Sequence, residues 1–173
     1  MKIPDHILAF RPKASKPCLD WLASLPDATE PSGWWPLCQR GDWMLWYLAR
    51  FCGPVNTDGH RKFAAAKCRC ARLVLHLFEE KYPADARPRK AIELAEEYAN
   101  GTDYRADDAA DAAAAAYDAA WDADADASYA AAAAADAAYT AYGASYTDYA
   151  AAASRSKMLA ECAAEIRAVW PTI

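Results

Sequence analysis

Apolar residues recur along this chain at steps of three and four, which is the spacing of a helix face turned toward a core. The clearest case is a stripe whose members are Ala64, Cys68, Ala71, Leu75, Phe78 and Tyr82. No segment alternates apolar and polar residues with the period of two that a half-buried strand requires. The pattern therefore predicts an all-α fold, a single-domain bundle of about six to eight helices.

The first third of the chain is rich in aromatic residues and broken by proline. A short apolar segment at 19–25 ends at Pro26, and residues 31–38 have the composition of a turn with a short helix or loop. Asp42 is predicted to cap a helix that stops at Gly53-Pro54. One face of that helix contains Trp43, Trp46, Tyr47, Arg50 and Phe51.

Two regular helices follow. The first is predicted from Asn56 or Asp58 to residue 81, and Pro83 closes it. The second is predicted over residues 88–100, because proline favours the first helical turn and Gly101 suits the position after the C-terminal cap.

An alanine-rich tract then dominates, with 27 alanines among the 48 residues from 106 to 153. On a helical wheel at about 100° per residue, its aspartates cluster within roughly 140° of arc. This predicted acidic arc comprises Asp103, Asp107, Asp108, Asp111, Asp118, Asp122, Asp126 and Asp136. A neighbouring arc contains Tyr117, Trp121, Tyr139, Tyr142, Tyr146 and Tyr149. The side opposite the acids is almost pure alanine, which lets helix backbones approach closely.

The tract cannot form one helix within a compact domain, since such a rod would be about 70 Å long against a diameter of about 40 Å. Breaks are predicted in residues 122–128, with Asp126 or Ser128 as a new cap, and at Gly143 to Ser145. The sequence therefore predicts two or three alanine-rich helices, followed by a last helix that runs to Pro171.

Length and charge favour one domain over residues 1–173, since this size suffices for a sizeable core. Within it we distinguish an aromatic part (1–55), two regular helices (56–101), the alanine/aspartate-rich helices (102–153) and a C-terminal helix (154–171). Residues 1–100 carry 15 basic and 12 acidic side chains, whereas residues 101–173 carry 4 and 12. The negative second half disfavours direct binding of nucleic acid.

The six cysteines do not form a recognisable metal motif. There is no Cys-x-x-Cys, and the thiols of Cys68 and Cys70 would point about 200° apart on a helix. His60 and His76 lack ligands at a suitable spacing. We therefore expect reduced thiols, no metal and no cofactor. With no signal peptide or membrane-spanning segment in the sequence, we expect a cytoplasmic protein that does not enter a membrane.

Catalytic signatures are equally missing: there is no glycine-flanked serine and no phosphate-binding glycine-rich loop. The chain is therefore predicted not to be an enzyme, and binding residues become the question. The candidates are the aspartates Asp107, Asp108, Asp111, Asp118, Asp122, Asp126 and Asp136, together with Trp34 and Trp35. An alternative stays open for each group. The aspartates are a solvated face or pair with this chain's own basic residues, and the two tryptophans form a lid over the core.

Several segments, taken in order, resemble the alanine-rich "putative immunity protein" family of bacteria and phages. They are KPCLDWL, LCQRGDWMLWYLAR, CRCARLVLHLFEEKYPADARPRKAIELAEEYANG, the alanine tract and LAECAAEIRAVWP, which together cover residues 16–171. The resemblance implies a helical protein that neutralises toxins in bacterial conflict. Asp85, Arg87, Pro88 and Trp43 match family positions, and we expect them to act in capping, a buried ion pair and core packing.

Taken together, these observations predict an inhibitor in bacterial or phage conflict. It would act as toxin immunity or as a phage-encoded antagonist of host defence, with its acidic face blocking a basic site on a partner protein. Two alternatives are a structural protein that self-associates into homo-oligomers through alanine-rich helices, and a nucleic-acid mimic.

Overall fold

The computed structural model describes residue 7 and residues 14–26, 30–102, 106–142 and 156–173. Within these ranges the chain forms eight α-helices, one 3-10 turn at Trp35–Leu37 and no strand, which confirms the predicted all-α class. The helices are α1 (Lys16–Ser24), α2 (Pro31–Trp34), α3 (Gly41–Leu48), α4 (Asp58–Glu79), α5 (Arg87–Ala99), α6 (Ala106–Asp122), α7 (Ala125–Tyr142) and α8 (Ser156–Val169).

Local signals set the ends of α4 and α5. Thr57 caps α4, and its side chain accepts a hydrogen bond from the backbone N–H of His60. At the end of α5, Gly101 has φ +75° and its N–H donates to Tyr98 O, while Thr102 N–H donates to Glu97 O. These two bonds form a Schellman motif, which needs the left-handed conformation that glycine adopts without strain. The predicted boundaries of both helices agree with the structure to within two residues.

The alanine tract breaks in the predicted segment but at a different cap. Helix α6 ends at Asp122 and α7 begins at Ala125. Asp124 lies between them, and its carboxylate accepts a hydrogen bond from the backbone N–H of Ala127. Asp126 and Ser128 were therefore the wrong caps, because the earlier aspartate already satisfies the first free N–H groups of α7. The second predicted break, at Gly143 to Ser145, lies outside the described residues.

Helix α3 also begins differently from the prediction. Its N-cap is Arg40, and Asp42 lies in the first turn, where its carboxylate accepts a hydrogen bond from Arg40 Nε at 2.8 Å. A helix-terminal carboxylate paired with a guanidinium no longer caps the backbone. The buried side of α3 consists of Gly41, Met44, Leu45, Tyr47 and Leu48. The predicted face shares only Tyr47 with this side.

Two cores lie on opposite sides of α4. The alanine core is formed by α4, α5, α6 and α7, and the aromatic core by the N-terminal segments, α3, α4 and α8. Cys68 contributes to the alanine core and Cys70 to the aromatic core, so the two thiols diverge as predicted. Helix α4 is the shared wall that joins the two halves of the bundle.

Helix α7 is enclosed by its neighbours, because α4, α5 and α6 all pack against it. Every alanine from 130 to 138 is buried. Short side chains allow this close packing, but they contribute little apolar area each. The carboxylate of Asp136 is buried in the middle of this helix, 2.9 Å from the ammonium of Lys67 on α4.

Candidate partner-binding surface

The exposed side of α6 is a row of carboxylates. Asp107, Asp108, Asp111, Asp118 and Asp122 are all exposed, whereas the alanines on the opposite side of the helix are buried. From Asp107 to Asp122 the row extends for about 22 Å at the rise of an α-helix. We call these five residues the acidic face. Within α6 the wheel placed these aspartates on one side and the buried alanines on the other, as the structure does.

Asp136 does not belong to this surface. Its side chain is 0% exposed and forms the ion pair with Lys67, which is itself 1% exposed. Its placement on the exposed arc was therefore wrong. The angle on the wheel was continued across the break at 123–124, and helices packed on three sides of α7 bury residues 130–138. Asp103 and the side chain of Asp126 lie outside the described part of the chain.

Trp34 and Trp35 are also buried, with 3% and 1% of their surface exposed. Trp35 Nε1 donates a hydrogen bond to the carbonyl of Trp170 at 3.0 Å. The ring of Trp34 packs edge-on against Tyr47, with centroids 4.8 Å apart. The pair forms part of the aromatic core, so neither ring is available to anchor a partner in this conformation. The alternative interpretation as a lid over the core agrees with these positions.

Some acids do pair with this chain's own basic residues, and these pairs are concentrated where α6 turns into α7. Arg87 contacts Asp122 at 3.2 Å, and Lys81 contacts Asp124 at 2.8 Å. The hydrogen bond from Lys81 lowers the pKa of the Asp124 carboxyl. By contrast, within the part of the chain that the structure describes, Asp107, Asp111 and Asp118 form no salt bridge.

Arg87 links the start of α5 to neighbouring acids, and we call its contacts with Asp85 and Asp122 the clamp. Its guanidinium makes three hydrogen bonds with Asp85 (Nε to Oδ1 and to Oδ2, each at 3.0 Å, and Nη2 to Oδ2 at 2.7 Å), and it reaches Asp122 as well. The side chain is 37% exposed, so the expected buried ion pair is wrong. Pairing with Arg87 lowers the pKa of Asp85. The clamp ties the start of α5 to the end of α6.

Trp121 is the feature that sequence reasoning missed. It lies one residue before the end of α6 and is 86% exposed, the highest exposure among the large apolar residues of the described chain. Tyr129, on the first turns of α7, is 40% exposed. The sequence did contain a signal, because Trp121 lies at the edge of the aromatic arc nearest the acids, between Asp118 and Asp122. A stripe of aromatics at helical spacing is usually core, and Tyr117 does pack against the alanine core, whereas Trp121 does not.

Other kinds of site find no support in the described residues. Across the described ranges, no three His, Cys, Asp or Glu side chains are grouped so that they could hold a metal ion. All six cysteines are free and buried, and burial raises the pKa of the Cys68 thiol to about 12. None of the described helices is both long enough and apolar enough to cross a membrane.

Comparison with known proteins gives one match. The model of a family described as "Imm-5 like putative immunity protein" matches residues 53–169. This range contains α4 to α8, the Asp85–Arg87 clamp, the acidic face and Trp121. The aromatic N-terminal part, including Trp43, precedes the matched region. No curated protein and no solved structure matches the chain.

Proposed function

The chain belongs to the family described as "Imm-5 like putative immunity protein", and from this membership we propose that it is a non-enzymatic inhibitor that binds a toxin protein. The family supports an immunity role in general. The finer proposal is that the acidic face and Trp121 form the binding surface, and that they cover a basic site on the toxin.

One observation carries this proposal: a nearly fully exposed tryptophan at the end of a row of exposed carboxylates. Exposing a large aromatic ring to water is unfavourable, so a ring at 86% exposure suits a contact that a partner completes. Tryptophan is enriched among the few residues that dominate protein–protein binding energies. The carboxylates beside it favour a partner of opposite charge and accelerate its approach.

The acidic face and Trp121 should contribute to different steps of binding because of their chemistry. Exposed carboxylates are screened by salt and contribute mainly to the association rate. Trp121 loses its exposed surface only in the complex, so it should act mainly on the dissociation rate. The self-association alternative requires exposed alanine faces, and in the described part of α7 the alanines from 130 to 138 are buried against α4, α5 and α6.

The test co-expresses the protein with candidate toxin proteins in cells whose growth reports protection, and it proceeds with a toxin against which the wild-type protein protects. The charge variant carries Asp107→Asn, Asp111→Asn and Asp118→Asn, and it leaves Asp122 in its pair with Arg87. A matched control carries Glu30→Gln, Glu80→Gln and Glu93→Gln, three exposed acids away from α6. Both variants change net charge equally, so only the position of the charges differs.

We expect the charge variant to slow association by about tenfold at low salt, and to protect cells less well, while the control behaves as wild type. Trp121→Ala should weaken the complex roughly 30-fold, the effect of losing an anchor residue. Both variants should unfold at the wild-type temperature, because the altered side chains are exposed. Equal protection by wild type, the charge variant and Trp121→Ala would contradict the proposed surface.

A further inference from the structure

The turn from α6 into α7 forms an open pocket of about 310 Å³. Tyr117 and Trp121 line it from α6, and Ser128 and Tyr129 line it from α7. Three aromatic side chains thus surround one recess, and one side of it is the most exposed ring described in the molecule. We call it the aromatic pocket. Its volume is of the size that holds a single long side chain.

The charges around the aromatic pocket are mainly negative. Asp118 and Asp122 flank Trp121 on α6, and both are exposed. The pocket lies at the C-terminal end of α6, and the last turn of this helix contains no basic residue. The nearby cations Lys81 and Arg87 are engaged by Asp124 and Asp122. An occupant with a positive charge is therefore favoured over a neutral or acidic one.

We propose that the aromatic pocket receives an arginine side chain from a basic segment of the toxin; this deepens, and rests on, the proposed function. A guanidinium is planar and weakly hydrated, so it stacks on the faces of tryptophan and tyrosine rings. Its edge presents several N–H donors to a carboxylate such as that of Asp118. An ammonium group is compact and strongly hydrated, and it cannot stack in this way.

The same chain already contains this type of contact. The guanidinium of Arg50 lies over the ring of Trp46, with 3.9 Å between Cζ and the ring centroid, and Arg40 lies over Trp43 at 4.4 Å. In both cases the tryptophan is half-buried and its own chain supplies the arginine. Trp121 has the acidic flanks and an exposed ring, and among the described residues no arginine is recorded over it. In our proposal the toxin supplies that arginine.

The direct test uses L-argininamide as the probe and the intact protein, followed through the indole N–H signals of its tryptophans in NMR spectra. Citrullinamide is the matched control, because it replaces the guanidinium by a neutral urea of nearly the same shape. Trp121→Leu identifies the Trp121 signal by its loss. We expect L-argininamide to shift this signal to saturation and citrullinamide to bind at least about tenfold more weakly.

Two further measurements sharpen the assignment. Asp118→Asn should weaken argininamide binding severalfold without moving the thermal unfolding temperature, since Asp118 is exposed and forms no salt bridge with any other described residue. Lysinamide should bind more weakly than argininamide. Equal binding of argininamide and citrullinamide, or equal binding of lysinamide, would overturn the assignment of a guanidinium.

The two proposals fail in distinguishable ways. If argininamide leaves the Trp121 signal unmoved while Trp121→Ala still abolishes protection from the toxin, the arginine assignment is wrong and the binding surface is retained. If argininamide binds at Trp121 while Trp121→Ala and the charge variant protect fully, the pocket binds a guanidinium but the toxin does not occupy it, and the proposed binding surface is wrong.

Discussion

The ion pair between Lys67 and Asp136 gives the most demanding prediction, because it lies in a core made almost entirely of alanine. The two charged atoms are 2.9 Å apart and both side chains are buried. At an effective dielectric constant of about 20, two unit charges at this distance attract each other by about 6 kcal/mol. The cost of removing both from water cancels much of that gain. The remaining partner after a single substitution, however, bears its desolvation cost without compensation.

We therefore expect Asp136→Ala and Lys67→Met each to lower the free energy of unfolding by about 3–5 kcal/mol. The double variant should lose clearly less than the sum of the two, since it leaves no uncompensated charge. The measurement is urea unfolding followed by circular dichroism at 222 nm, analysed as a double-mutant cycle. Additive losses, or single losses below about 1 kcal/mol, would refute the argument that the pair is desolvated and coupled.

The pair also has a consequence for the register of α7. From residue 130 to residue 138, every buried side chain of α7 except that of Asp136 is an alanine, so a shift of one helical turn would mostly replace alanine by alanine in this stretch. Within it, only the charge at position 136 distinguishes the correct alignment with Lys67. The double variant should thus retain helicity but show broadened amide NMR signals from α7, as expected when a polar group that specifies packing is removed. Sharp, wild-type-like signals would show that the alanine packing, and not the ion pair, sets the register of α7.

Three further predictions concern stability and reactivity. Burial, and secondarily the charge of Lys67, lowers the pKa of His60 from 6.5, so the unfolded state binds the proton more readily and stability falls as pH drops below about 6.5. The measurement is the free energy of unfolding in urea at pH 7.5 and at pH 5.5. The decrease between the two pH values should be smaller in His60→Gln than in wild type, and unchanged in His76→Gln, whose histidine is exposed. Gly41→Ala should lower the free energy of unfolding by about 1–3 kcal/mol, because the added methyl carbon would lie 2.6 Å from Cβ of Cys162. An unchanged unfolding temperature would contradict that close approach of α3 and α8. Since the Cys68 thiol is buried and its pKa is raised to about 12, a thiol reagent at pH 8 should modify it only after denaturation, and fast reaction in the native protein would contradict its burial.

Much of the fold could be predicted from local sequence signals. A proline in the first turn, a glycine after the last turn and a three-four apolar repeat gave α4 and α5 to within two residues, because these signals act on neighbouring backbone groups. The break in the alanine tract was placed in the right segment for the same reason. Its cap was assigned two residues late, since three aspartates in alternate positions offer equivalent side chains and only the final geometry selects Asp124.

The candidate site depended on tertiary structure far more. The wheel correctly placed the aspartates of α6 opposite its buried alanines, since one side of this helix packs and the other meets solvent. It failed for Asp136, because an angle on a wheel says nothing about how many neighbours surround a helix. It also failed to separate Trp121 from the aromatic residues of the core, since both kinds of aromatic residue share the helical spacing.

What the sequence determined by itself is therefore the helical class, most helix ends and the existence of one acidic side on α6. Those properties depend on residues three or four positions apart, which a helix always brings together. Tertiary structure alone decided that α7 is enclosed, that one aspartate is neutralised inside the bundle and that one tryptophan is left in solvent. These outcomes depend on contacts between residues far apart in the chain, such as Lys67 with Asp136 and Arg87 with Asp122. Alanine side chains are small and alike, so an alanine-rich sequence does not indicate which helix faces pack together.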